Sequence, residues 1–165
     1  MLIKNKLFAF HISLLFSVLP VVMQAYETGP DPFRTGAPGD TGTCLGSGCH
    51  SGTLNSAAGS VKIVLPGGNT YTPGVKQHLM VRIVDSTRQK FGFELTARPA
   101  SDIAGGQAGD FNNTDTLTQV ICADGGSKPC AAKFATQFIE HTFAGYSAST
   151  TGGYTYQFDW TPPAT

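Results

Sequence analysis

"VKQHLMVRIVD", Val75 to Asp85, decides the fold class. Leu79, Val81 and Ile83 fall on one face of an extended chain; His78, Met80 and Arg82 fall on the other. Successive side chains of a strand point to opposite faces, so this alternation is that of a half-buried β-strand. Working outward, the same period recurs. "SVKIVL" (Ser60–Leu65) puts Val61, Ile63 and Leu65 together, and "QKFGFELTAR" (Gln89–Arg98) does so with Phe91, Phe93, Leu95 and Ala97. "LTQVIC" (117–122) and "KFATQFIEHTF" (133–143) follow, and "YTYQFDW" (154–160) aligns Tyr154, Tyr156, Phe158 and Trp160. Gly/Pro clusters such as "PGGNTYTPG" (66–74) separate these runs. Six short strands rich in β-branched and aromatic residues predict an antiparallel β-sandwich with no helix. The smaller immunoglobulin-like sandwiches have seven strands, so one more C-terminal strand is expected beyond Thr165.

The ends of the chain read differently. Lys4 and Lys6 precede an apolar run from Leu7 to Val22, and "VMQA" offers a cleavage point after Ala25. The run is 16 residues and is broken by His11, Ser13, Ser17 and Pro20. A membrane-spanning helix needs about 20, so residues 1–25 are expected to be a cleaved export signal. Residues 26–58 form a Gly/Pro-rich arm without period, and 59–165 carry the strands. Without Lys4 and Lys6 the chain keeps nine basic and eleven acidic residues, a net charge of about −2. That argues against a nucleic-acid surface, which would need a basic patch.

The arm contains "CLGSGCH", Cys44 to His50. Two thiols can form thioethers with the vinyl groups of a haem, and a histidine after the second thiol can ligate the iron. The usual spacing is C-x-x-C-H; here it is two residues longer. A Cys44–Cys49 disulfide is the competing reading, because export places thiols in an oxidising compartment. A zinc site using Cys44, Cys49, His50 and one more histidine is a third. A haem iron would take a second axial ligand from His78, Met80 or His141, the other candidates after leader removal. Cys122 and Cys130 flank "ADGGSKP" and are expected to close that turn as a disulfide. No G-x-S-x-G, H-E-x-x-H or Walker loop occurs, and "GGQAG" (105–109) lacks a strand-to-helix setting. No enzymatic activity is expected. "NNT" at Asn112 is a formal glycosylation sequon.

From Gly29 to Thr165 the chain resembles the bacterial choice-of-anchor V proteins, exported relatives of the reelin-type (Reeler) domain. The residues that carry this are "TGAPGD" (35–40) with the Cys/Cys-His segment, "YTPGVKQ" (71–77), "FGFELTAR" (91–98), "AGDF" (108–111), "VICADGGSKPC" (120–130), "FIEHT" (138–142) and "FDWTPPAT" (158–165). The resemblance implies a reelin-like β-sandwich preceded by a haem-attachment arm. It implies a single c-type haem held through Cys44 and Cys49, with His50 as proximal ligand. It makes His141 the distal ligand ahead of His78, with Met80 third. The family sequence continues past this C-terminus, often to a surface anchor. The expected role is electron transfer or redox sensing at the cell surface or in the periplasm, with an unidentified redox partner and no membrane span after signal removal. The alternative is a non-catalytic extracellular adhesion or binding module with two local disulfides.

Overall fold

A computed structural model describes residues 26–45, 50, 52–56 and 58–164. The expected leader and Cys49 lie outside the described residues. Seven strands occur in chain order: β1 Ser60–Val64, β2 Gln77–Asp85, β3 Glu94–Leu95, β4 Asp110–Asn113, β5 Thr118–Cys122, β6 Gln137–His141 and β7 Gly152–Thr161. A short helix, α1 Phe143–Ala148, lies between β6 and β7. The strands form two antiparallel sheets, ordered β1-β2-β7-β4 and β3-β6-β5. The fold is all-β.

The alternation in β2 and β7 explains how the sheets meet. Their register sets Leu79 opposite Phe158, Val81 opposite Tyr156 and Ile83 opposite Tyr154. These inward faces join Phe111 from β4, Val120 from β5, Ile139 from β6 and Phe91 in one core, with Phe93, Leu95 and Ala97 packed against it. Each such buried side chain contributes about 1.5–3 kcal/mol. The Tyr156 hydroxyl lies 2.7 Å from the Phe91 carbonyl and 3.2 Å from that of Gly145, tying the core to the segment before β3 and to α1.

The structure differs from the expected pattern in three places. β4 was not anticipated because "DFNN" offers one apolar residue, Phe111. Its neighbours serve a polar knot instead: Lys128 Nζ donates to Asp110 Oδ2, the Phe111 carbonyl and Asn112 Oδ1 at 2.7, 2.7 and 3.0 Å. The Asn112 amide donates to Asp110 at 2.9 Å, so both ends of the sequon's asparagine are engaged. α1 was not anticipated because its six residues are too few to show a period; its start is fixed by the Thr142 hydroxyl accepting from Gly145 N. In β1, Val61 and Ile63, which share the apolar face, are 65% and 53% exposed. They occupy the edge of a four-stranded sheet whose partner has three strands.

Two further expectations concern loops. Cys122 and Cys130 are joined as a disulfide around the "ADGGSKP" turn. The described residues of the arm are held by side chains from the strand-bearing part of the chain. The Arg98 guanidinium, with 4% of its side chain exposed, pairs with Asp40, whose side chain is 0% exposed. It also donates to the Pro38 and Ala104 carbonyls. Phe33 packs edge-on against Phe138 at 4.8 Å. The arm therefore covers the side of β6 turned away from the core, and all five β6 residues are buried.

Candidate functional site

One cavity of about 300 Å³ opens where the arm meets the sheet ends. Among the described residues it is lined by three of those singled out in the sequence: Cys44 and His50 from the arm, and His141. Phe91 and Phe93, leading into β3, and Tyr146 on α1 supply apolar wall. His141 reaches this place because it is the last residue of β6, where a side chain can extend past the sheet. Cys44 and His50 are exposed, while His141 is only 6% exposed.

The surroundings of His141 define its chemistry. Burial pushes its pKa below the ordinary histidine value, against the raising effect of backbone contacts to Phe93 and Tyr26, so the ring is neutral at neutral pH. Nδ1 accepts from Phe93 N at 3.1 Å and also lies 3.2 Å from the Phe93 carbonyl. Nε2 lies 3.2 Å from the Tyr26 carbonyl. A neutral imidazole carries one N–H. With Nδ1 accepting, Nε2 must donate to Tyr26. With the proton moved to Nδ1, the Phe93 carbonyl is in place to take it, and the Nε2 lone pair becomes available to a metal in place of Tyr26. Both tautomers are thus provided for by one backbone unit, the second being the arrangement metal-ligating histidines use. Gly92 lets the ring lie this close: a Cβ built there would sit 2.5 Å from His141 Cε1.

The other two axial candidates lie elsewhere. His78 is on the outer face of β2, where Nδ1 meets Asp159 Oδ1 and Nε2 meets Gln157 Oε1, each at 3.0 Å. The Asp159 bond, then the Gln157 bond, raise its pKa. Met80 shares that face by alternation, and neither is among the described residues lining the cavity. No group of three or more His, Cys, Asp or Glu residues suited to a metal ion occurs among the described residues.

Against family models, characterised proteins and solved structures, the chain finds no match.

Two acids behind the arm, Glu140 buried and Glu94 half-buried, carried no sequence signal. Glu94 and Glu140 are cross-strand neighbours in β3 and β6, both raised to about 8, chiefly by burial. Glu140 Oε1 accepts from Gln119 at 2.7 Å and Glu94 Oε2 from Arg34 N at 2.8 Å, while Glu140 Oε2 and Glu94 Oε1 have no hydrogen-bond partner. Burial thus favours the protonated form of both. Their positions look like ordinary outward-facing strand positions until the arm is laid over them. Lys90 and Tyr146 in the cavity wall were likewise not legible. Among the described residues no helix is long and apolar enough to cross a membrane.

Proposed function

We propose that this chain is an exported mono-haem c-type protein of the reelin-like, choice-of-anchor V kind, acting in electron transfer or redox sensing outside the cytoplasm. The observation that carries the reading is that Cys44, His50 and the buried, neutral His141 line one apolar-walled cavity. In this reading Cys44 and Cys49 would hold the haem covalently, with His50 as its proximal ligand and His141 as its distal one. When bound, the haem iron supplies a one-electron ferric–ferrous couple. The chain's own contribution is to keep His141 neutral, to shift its proton to Nδ1 against the Phe93 carbonyl, and to exclude water with Phe91 and Phe93. An iron held by both histidines would suit electron transfer rather than oxygen chemistry.

The test is export of the full chain with c-type maturation factors. The expected result is a Soret band and an intact mass raised by one covalent haem, both lost in Cys44→Ser/Cys49→Ser. His141→Ala should change the visible spectrum and His78→Ala should leave it unchanged. Wild-type protein with neither band nor mass increase overturns the reading and leaves the disulfide-stabilised binding module.

A further inference from the structure

We infer that Lys90 is the anion anchor of this cavity and recognises a carboxylate on the rim of a planar, otherwise apolar ligand. The inference rests on the haem reading and adds a specificity residue to the same site. Apart from the two histidines, Lys90 supplies the basic side chain among the described residues lining the cavity, and no described lining residue is acidic. Its ammonium is positioned rather than free. Nζ donates to the Ser147 carbonyl at 2.7 Å and the Ser149 carbonyl at 3.4 Å, and lies 5.5 Å from the Tyr146 ring centroid. Two carbonyls at the end of α1 thus hold the charge next to a wall residue of the cavity.

An ammonium has three N–H donors and no acceptor. Two neutral carbonyls leave its full positive charge and one donor unused, and among the described residues no carboxylate pairs with it. Lys90 is exposed while its neighbour Phe91 is buried. The chain therefore passes from a water-facing cation to an apolar wall within one residue. A ligand matching this gradient has a flat apolar body against Phe91, Phe93 and Tyr146 and an acidic substituent at the edge. The propionates of a haem have that chemistry. Because the carbonyls pre-set the ammonium, little side-chain freedom is lost when the carboxylate arrives.

The experiment uses the full chain made without maturation factors, titrated with iron(III) protoporphyrin IX and, separately, with its dimethyl ester, and read by the Soret shift. Wild type is expected to bind the diacid up to about fivefold more tightly than the ester, the upper end for an exposed charge pair. Lys90→Met should abolish that preference and keep the affinity for the ester, which shows the cavity intact. Lys90→Arg should keep the preference. A diacid preference that survives in Lys90→Met, or wild type that binds both porphyrins equally, overturns the anchor and leaves the cavity reading standing. Wild type that binds neither porphyrin overturns the cavity reading, and the anchor with it.

Discussion

Gly92 shows how a single missing side chain sets the site. A Cβ there would lie 2.5 Å from His141 Cε1 and 2.8 Å from each ring nitrogen. The ring is hemmed in by Phe93 and Tyr26 through both nitrogens, so it has no cheap way to retreat. Overpacking of this kind costs about 1–3 kcal/mol. Gly92→Ala is therefore expected to lower the stability by that amount in denaturant unfolding. Gly67 is the control. It lies in an exposed turn with nothing within 4 Å of a built Cβ, so Gly67→Ala should stay within about 0.5 kcal/mol of wild type. Equal losses at the two positions would show that the close approach to His141 carries no energetic weight.

At the scale of elements, the arm is the part whose attachment can be cut by one substitution. Arg98 reaches Asp40 across 58 residues of sequence, and the two side chains are 4% and 0% exposed. Asp40 in turn accepts from Thr35 N and Thr35 Oγ1, closing the turn that precedes Cys44. Removing one partner of a buried ion pair leaves the other charge uncompensated, at a cost of about 3–5 kcal/mol. Arg98→Ala is expected to release the arm before the sheets unfold, read as faster tryptic cleavage after Arg34 and faster amide exchange at Gly36 and Asp40. Arg98→Lys should recover only part of the protection, because a single ammonium cannot match the guanidinium fork that serves Asp40, Pro38 and Ala104 together. Cleavage at the wild-type rate in Arg98→Ala would mean that Phe33 and the turn hold the arm unaided. No local pattern announces this contact, whereas β2 and β7 were legible because each carries an unbroken apolar alternation. β4 and α1 were not, since one phenylalanine and one capping threonine are all that their sequences display. The same contrast holds at the site. His141 could be singled out by residue type and resemblance, but Tyr26, Gly92 and Lys90 acquire their roles only from what the fold brings beside them.

For the whole molecule, the pair of acids between the arm and the smaller sheet sets an unusual dependence on pH. Glu94 is raised from 4.5 to about 8, first by burial and then by the charge of Asp40, against the opposing effects of its bond from Arg34 N and the Arg34 charge. Glu140, its cross-strand neighbour, is raised to the same region by burial, with Glu94 and Asp31 adding to the shift against the Gln119 bond. A carboxyl whose folded pKa lies above its unfolded value binds more protons in the native state between the two values. Stability is then full below about pH 4.5, falls as pH rises toward 8, and levels off above it. Asp110 works in the opposite sense: although burial pushes it up, its bonds from Lys128, Gln137 and Asn112 hold it low, and that contribution is lost only below its ordinary pKa of 3.8. His141, lowered by burial, adds stability as pH rises toward its unfolded value near 6.5 and so offsets part of the decline below that pH. Because Glu94 is partly exposed, its share is on the order of 2 kcal/mol rather than the full value of its shift. Glu94→Gln mimics the protonated acid and cannot ionise. It is expected to match wild type at pH 5 and to be more stable by that amount at pH 8.5, measured by urea unfolding at the two pH values. The arm also carries Cys44 and His50, so in wild type the alkaline loss should appear first as exchange of arm amides, and Glu94→Gln should suppress it. An unchanged difference between pH 5 and pH 8.5 in Glu94→Gln would show that this carboxyl ionises without opposing the docked arm.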